Sequence, residues 1–186
     1  MTSLQAKVCH PYDEVANQYD QLWSTPEAKA EDDLIMRALG VLDHDAVLDI
    51  GCGTGLFLDH HPHHSGYLGI DPSQEMLERL HDKHPERQTV NQTFEEFLPD
   101  LAKIGLKFDQ IISLFGSPSY VQPAALLQAR NYLAPAGHMI CMFIAPGYDP
   151  ETHRYISDPP PMFNHDISCF GEAHHFGNYI LTRLKA

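Results

Sequence analysis

Residues 47–55 carry the strongest chemical signal in the chain, Val-Leu-Asp-Ile-Gly-Cys-Gly-Thr-Gly. An apolar run containing one carboxylate, Asp49, is followed by glycines at alternate positions, Gly51, Gly53 and Gly55. Because glycine lacks a Cβ, its backbone can turn sharply and approach a ligand within hydrogen-bonding distance. The free N–H groups at the start of a following helix add donors. This pattern predicts a buried strand, then a ligand-binding loop, then a helix.

A second acid, Asp71, ends the run Tyr67-Leu68-Gly69-Ile70-Asp71, 16 residues after Gly55. In a doubly wound sheet, strands one and two are neighbours, and an acid at the tip of strand two can accept both hydroxyls of a ribose. Leu56 stands where the dinucleotide pattern has its last glycine, and no Lys-Ser or Lys-Thr pair follows. The spacing therefore favours a ligand with a nucleoside but no diphosphate.

The hydrophobic period along the chain predicts the elements that position these residues. Short β-rich runs alternate with longer amphipathic stretches, which is typical of βαβ units. The predicted strands are 46–50, 66–70, 88–92, 108–115, 138–144 and 179–184, and the predicted helices are 73–84, 95–104 and 123–133. Continuously apolar strands suit a parallel sheet covered on both faces. We expect a doubly wound, Rossmann-like α/β/α sheet of six or seven strands, the last one antiparallel.

The predicted domain organisation is a single domain over residues 1–186. Residues 1–44 form an N-terminal helical lid, residues 45–145 form the ligand-binding core, and residues 146–186 form a substrate-side loop and the terminal strand. Ser73 is the expected N-cap of the helix after strand two.

Composition narrows the class of partner. The chain has 12 basic and 25 acidic side chains, a formal charge of −13. Nucleic acids and anionic lipid surfaces are disfavoured by that charge, so small or cationic partners remain. Four well-separated cysteines, with no leader or membrane-spanning run, predict a reduced cytoplasmic protein.

These motifs together resemble the class I S-adenosylmethionine-dependent methyltransferases over about residues 10–145. Residues 47–55 resemble the family's glycine motif, whose loop contacts the methionine portion of the cofactor. Residues 69–73 resemble the stretch with the ribose-binding acid, with Met76 beside the adenine. Residues 91–97 resemble the adenine-binding stretch after strand three.

Three further stretches follow the family's order. Residues 108–115 resemble strand four, which reaches the methyl-transfer centre, and residues 132–138 resemble the turn before strand five. Residues 12–20 resemble the N-terminal helix of members that act on small molecules, where tyrosines touch the methionine end of the cofactor.

The resemblance implies S-adenosylmethionine as cofactor, with S-adenosylhomocysteine as product. The implied cofactor-binding residues are Tyr12, Tyr19, Asp49, Gly51, Cys52, Gly53, Gly55, Leu56, Asp71, Pro72, Met76, Thr93, Phe94, Glu95 and Leu114. The expected substrate-binding residues are Trp23, Phe115, Ser117, Tyr120 and Tyr148. No catalytic residue is assigned, and the possible bases His153, His165, His174 and His175 stay unranked. Asp49 could either cap the loop amides or orient the loop beneath the cofactor.

The chain departs from the family pattern at three places. Thr93 stands where many members carry an acid on the adenine amino group, and Ala136 replaces the first glycine of the turn before strand five. The part after Ala145 is short for the usual final helix and two strands. The histidines at 60–64 are interpreted as a solvated loop, so we expect no metal site.

The sequence predicts a methyltransferase that acts on an N or O nucleophile of a small molecule by in-line displacement. Two alternatives stay open, a non-catalytic regulatory protein that binds the cofactor or its product, and a related alkyl or aminopropyl transferase. Macromolecular methylation is disfavoured, because no basic patch is visible and residues 114–117 lack the Asn-Pro-Pro-Tyr motif used on flipped bases.

Overall fold

A computed structural model describes residues 11–41, 45–63, 66–145, 167–177 and 179–186. Within these segments, seven strands form one sheet in the order β3-β2-β1-β4-β5-β7-β6. The strands are β1 (Ala46–Ile50), β2 (Gly66–Ile70), β3 (Gln88–Val90), β4 (Phe108–Ser113), β5 (Leu133–Ile144), β6 (Glu172–Phe176) and β7 (Tyr179–Lys185). Strands β1 to β5 pair in parallel, and β7 lies antiparallel between β5 and β6. The predicted fold class is confirmed, including the antiparallel last strand.

Helices flank this sheet and connect its parallel strands. The α-helices are α1 (Tyr19–Leu22), α2 (Pro26–Leu39), α3 (Leu56–His60), α4 (Gln74–Lys83), α5 (Phe94–Ile104) and α6 (Pro123–Ala129). Short 3₁₀ segments cover Pro11–Glu14, Ala16–Gln18, Ser117–Tyr120, Arg130–Tyr132 and Ser168–Phe170. Across the described segments, none of these helices combines the length and apolarity needed to cross a membrane.

Helix ends follow local sequence signals. As predicted, the Ser73 side chain caps α4 by accepting a hydrogen bond from the Met76 N–H at 3.2 Å. Helix α2 begins after Thr25, whose side chain accepts from the Ala28 N–H, and ends at Gly40 with φ 66°.

The core has two parts, one on each face of the sheet. Because adjacent strand residues point to opposite faces, Leu48 and Ile111 pack with α5 and α6, whereas Val47 and Ile112 pack with α2, α3 and α4. All four side chains are fully buried. This two-sided burial explains why β1 is almost continuously apolar and why β4 carries the adjacent apolar residues Ile111 and Ile112.

Two differences from the predicted elements lie on the β5 side of the sheet. The stretch 132–138, expected as a turn, falls largely in β5, which begins at Leu133 and pairs irregularly with β4. A Cβ on Gly137 would lie 2.9 Å from the carbonyl oxygen of Phe108, so only glycine lets the strands approach here. Strand β6 was missed because Glu172–His175 are all exposed, which leaves no alternation of apolar and polar residues.

The capping box of α5 gives a first prediction. The Thr93 side chain accepts from the Glu96 N–H at 3.3 Å, and the Glu96 carboxylate accepts from the Thr93 N–H at 3.0 Å. Thr93→Ala should lower the free energy of unfolding by about 1 kcal/mol, measured by urea denaturation. The control is Thr93→Ser, which keeps the capping hydroxyl; a loss in that variant equal to the loss in Thr93→Ala would contradict a capping role.

Candidate functional site

A cavity of about 850 Å³ lies over the carboxyl ends of β1, β2 and β4. Its floor is formed by residues that follow these strands, including Gly51, Asp71 and Leu114. Tyr19 and Trp23 of the N-terminal segment line another side. Open α/β sheets bind ligands at this place, where the strand order reverses between β1 and β4.

The glycine loop is tied to the end of β2 by its backbone. The N–H groups of Gly51 and Cys52 both donate to the Ile70 carbonyl, at 2.7 and 3.1 Å. Gly51 has φ 78°, and a Cβ there would lie 2.5 Å from the Cβ of Ser117, so this position requires glycine. Gly53, with φ 51°, has no heavy atom within 4 Å of the Cβ position and lines the cavity. The loop therefore presents open backbone to a ligand.

Asp71 joins this loop to the start of α4. One of its carboxylate oxygens accepts from the Gly53 N–H and the other from the Ser73 N–H, both at 2.9 Å. Burial raises the pKa of Asp71 to about 6, although the two backbone hydrogen bonds act against that rise. The acid and the loop thus open onto the same cavity, as the sequence predicted.

Asp49 is buried beneath the loop and also lines the cavity. Its carboxylate accepts from the Tyr67 hydroxyl at 3.0 Å. Burial raises the pKa of Asp49 to about 7, and the nearby Asp71 charge adds to the rise. The partner that the structure gives Asp49 is thus a phenol from β2, which sequence reasoning did not identify.

Cys52 lines the cavity as an uncharged thiol. Burial raises its pKa well above the ordinary value, with the Asp71 and Asp49 charges adding to the rise. A Cβ on Gly69 would lie 2.8 Å from the Cys52 sulfur, so the thiol sits tightly against β2. This environment suits a packing role rather than a nucleophile.

Carboxylates bind the N-terminal segment to the site. Asp20 accepts from the Thr54 hydroxyl at 2.5 Å and from the Lys83 ammonium at 3.1 Å. Asp13 accepts from the Ser73 hydroxyl at 2.6 Å. Sequence reasoning missed Asp13, Asp20 and Thr54, since helix periodicity does not reveal bonds between residues 34 to 60 positions apart.

Aromatic side chains, most of them from the N-terminal segment, line one side of the cavity. The Tyr12 ring lies edge-on to Tyr19 and to Tyr120, with centroid distances of 6.0 and 6.3 Å. Trp23 lines the same cavity and is 37% exposed. The aromatic residues predicted from sequence on the N-terminal side are therefore brought together.

The turn after β4 holds Phe115 in an unusual backbone conformation. Its φ of 50° lies in the left-handed region that bulky residues rarely adopt, at a cost of about 1–3 kcal/mol. The Gly116 N–H donates to the Met142 carbonyl at 2.9 Å, and Ser117 N–H donates to the Leu114 carbonyl at 3.0 Å. These bonds hold the Phe115 side chain at the cavity wall.

Several predicted site residues are absent from the lining of this cavity. Thr93 caps α5, Phe94 is buried in the core on the α5 and α6 face, and Glu95 accepts from the Gln122 N–H at 2.6 Å. Gly55 and Pro72 are adjacent in sequence to lining residues but do not line the cavity themselves. Contacts of these five residues with a cofactor stay predictions.

The other predicted lining residues are all brought to the cavity: Tyr12, Tyr19, Trp23, Asp49, Gly51, Cys52, Gly53, Leu56, Asp71, Met76, Leu114, Phe115, Ser117 and Tyr120. Tyr148 and the possible bases His153 and His165 lie outside the described residues. His174 and His175 are exposed on β6, away from the cavity.

The histidine-rich segment lies at the end of α3. His60 Nδ1 lies 3.2 Å from a carboxylate oxygen of Asp33, and His63 is exposed. Within the described parts of the chain, no three His, Cys, Asp or Glu side chains come together as they would around a metal ion.

Residues 48–139 match a protein family described as a methyltransferase domain. The matched stretch begins in β1, contains the glycine loop and Asp71, and ends in β5. Residues 48–139 therefore form a methyltransferase domain, and the fold and motifs of the chain are consistent with the class I S-adenosylmethionine-dependent methyltransferases. The cofactor of this family is S-adenosylmethionine, as predicted.

Two curated relatives resemble this chain. The dTDP-3-amino-3,4,6-trideoxy-alpha-D-glucopyranose N,N-dimethyltransferase of Streptomyces venezuelae is 27% identical over 113 residues, covering 58% of this chain and 44% of the relative. An uncharacterized protein of Methanocaldococcus jannaschii is 31% identical over 139 residues, covering 74% and 51%. The chain spans about half the length of these relatives.

Solved structures share the fold. Streptomyces venezuelae DesVI aligns at 25% identity with a TM-score of 0.55, over 74% of this chain and 59% of that one. A TehB-like methyltransferase from Corynebacterium glutamicum, at 16% identity, aligns with a TM-score of 0.60 over 91% and 96%.

The buried Asp49 carboxylate predicts a pH dependence of stability. Because the pKa of Asp49 is higher in the folded state than in the unfolded state, the folded state keeps a proton that the unfolded state has already lost. The stabilisation linked to this proton is complete below about pH 4 and is lost as the pH rises through about 7. Asp49→Asn keeps an acceptor for Tyr67 and removes the charge. Relative to the original protein, the variant should gain stability between pH 5 and pH 8, measured by urea denaturation at both values.

The control for this measurement is Asp109→Asn. That carboxylate is exposed and accepts a hydrogen bond from the Ala46 N–H at 2.9 Å. A stability difference for Asp49→Asn that stays constant with pH would contradict the raised pKa.

Proposed function

We propose that this protein transfers a methyl group from S-adenosylmethionine to an N or O nucleophile of a small molecule by in-line displacement. The observation that carries the proposal is the contact between Asp71 and Gly53 at the floor of the cavity. It places the acid expected to bind the ribose and the loop expected to bind the methionine portion within one hydrogen bond of each other.

The residues present fit the cofactor. A carboxylate offers about four lone-pair sites, and the Gly53 and Ser73 N–H groups use one on each oxygen of Asp71. The remaining lone pairs can accept the two ribose hydroxyls. The open backbone at Gly53 leaves room for the methionine portion, and the presence of Met76 in the cavity lining supports an adenine contact there.

When bound, the cofactor supplies a methyl group on a positively charged sulfur. The task of the chain is therefore to orient the acceptor and to exclude water, a contribution that can reach several kcal/mol. Tyr12, Tyr19 and Tyr120 are placed to close the cavity from the N-terminal side. Asp13 and Asp20 hold that segment against α4 and the glycine loop.

A small acceptor agrees with the shape and charge of the site. A volume of about 850 Å³ is near the upper end of the range for small-molecule pockets, roughly 300–1,000 Å³. The formal charge of −13 disfavours nucleic acids. The Streptomyces relative is named as a methyltransferase of a nucleotide-linked amino sugar, which also supports a small acceptor.

Asp71→Ala tests the cofactor site. Loss of the hydrogen bonds from the ribose and from the loop should weaken S-adenosylhomocysteine binding by about 1.5–3 kcal/mol, measured by isothermal titration calorimetry. Asp71→Asn keeps the size of the side chain and should also weaken binding, because its amide nitrogen cannot accept. Circular dichroism of both variants checks the fold.

Asp82→Ala on the exposed face of α4 is the matched control and should bind like the original protein. Unchanged affinity in both Asp71 variants would mean that the ribose lies elsewhere. No binding of S-adenosylmethionine or S-adenosylhomocysteine at millimolar concentration by the original protein would reject the function. Binding without methyl transfer to any amine, phenol or carboxylic acid would favour a regulatory role.

A further inference from the structure

The cavity extends past the residues assigned to the cofactor into a second part, here called the acceptor side. Six residues define it: Trp23, Glu31, Asp32, Phe115, Ile144 and Tyr179. They come from the N-terminal segment, α2, the turn after β4, the end of β5 and the start of β7. Glu31, Asp32, Ile144 and Tyr179 were not among the residues expected from sequence.

Aromatic rings make up one wall of the acceptor side. The Phe115 and Tyr179 rings pack edge-on, with centroids 6.2 Å apart. The face of an aromatic ring carries partial negative charge and attracts a cation within about 6 Å, most strongly for tryptophan. Trp23 lines the same cavity, and 37% of its surface is exposed.

Carboxylates of α2 also line the acceptor side. The Glu31 carboxylate reaches the turn between β6 and β7, where one of its oxygens lies 3.4 Å from the Cβ position of Gly177. Asp32 is half-buried, and burial raises the pKa of its carboxyl. The charges of both acids also reach Tyr179, whose pKa is raised first by burial.

Two basic groups near the cavity lie closest to other acids, although the charge of His60 also acts on Asp32. Lys83 lies 3.1 Å from Asp20 and 2.7 Å from Asp59, while His60 lies 3.2 Å from Asp33. Among the ion pairs that the described residues form, none involves Glu31 or Asp32. Lys29, the remaining base at the cavity, is exposed. The acceptor side therefore keeps an excess of negative charge.

We propose that the acceptor is an amine that enters as an ammonium ion, held by Glu31 and Asp32 against the rings of Trp23, Phe115 and Tyr179. This proposal rests on the proposed methyltransferase function and names its substrate class. An anionic acceptor would be repelled by the same carboxylates. A neutral alcohol would gain neither the ion pair nor the cation–π contact.

The chemistry balances without any further reactant. The ammonium ion first gives a proton to the Asp32 carboxylate, which frees the nitrogen lone pair. The lone pair then forms the new nitrogen–carbon bond as the sulfur–carbon bond breaks, and the sulfur keeps that electron pair as a neutral thioether. The positive charge moves from sulfur to nitrogen, so the product leaves as a methylated ammonium ion, and the proton on Asp32 passes to solvent.

Choline and its neutral isostere 3,3-dimethylbutan-1-ol test this recognition, because they differ in charge but hardly in shape. Each is titrated by saturation-transfer NMR against the protein with saturating S-adenosylhomocysteine, so that the cofactor side is filled. Choline should bind saturably and the isostere at least about tenfold more weakly. The double variant Glu31→Gln with Asp32→Asn should weaken choline binding by about tenfold or more.

The matched control is Glu27→Gln, on the same helix but away from the cavity, which should leave choline binding unchanged. Calorimetric titration of S-adenosylhomocysteine on the same samples separates the two proposals. Equal binding of choline and its isostere, no saturable choline binding, or an unaffected double variant would overturn the amine proposal while the cofactor result stands. Failure of S-adenosylhomocysteine to bind would overturn the proposed function itself.

Discussion

The site depends on one buried carboxylate, Asp71, placed between two backbone N–H groups. Burial of an isolated carboxylate is costly, and a charged group without partners would take up a proton instead. The donors at Gly53 and Ser73 offset much of that cost, which is why the pKa rises only to about 6 in so buried a position. The same two bonds fix the glycine loop relative to the start of α4.

Parallel pairing of β1 and β2 makes this contact possible. Ile50 is the register partner of Ile70, so both strands end at the same level of the sheet. The next two N–H groups of the loop, from Gly51 and Cys52, converge on the Ile70 carbonyl. A shift of one residue would turn the loop and Asp71 to different faces, so the pairing register and the site are specified together.

Local sequence patterns predict much of the arrangement of β1, β2, the glycine loop and Asp71. The bounds of β1 and β2, the cap at Ser73 and the convergence of the loop with Asp71 follow from short-range signals that a single sequence carries. The hydrogen bonds of Asp13 and Asp20 could not be predicted in this way, because their partners lie far along the chain. Nothing in the local sequence distinguishes these two acids from other acidic residues.

The same reason limited what sequence could say of the acceptor side. Glu31 and Asp32 sit in an ordinary run of acids on α2, and only the placement of β7 beside that helix shows that they face Tyr179. Strand β6, which precedes the Gly177 turn, carries no apolar alternation that would have revealed the hairpin.

The distribution of charge around the cavity links its two parts. Lys83 lies between Asp20 and Asp59 at the edge of the N-terminal segment, so its charge serves closure of the site rather than the acceptor. Because that base is engaged there, the acids of α2 outnumber the bases among the described residues that line the side where Tyr179 lies. Under the two proposals, Asp20 and Asp59 therefore hold Lys83 at the end of the cavity that the N-terminal segment closes, whereas Glu31 and Asp32 select a cationic acceptor at the other end.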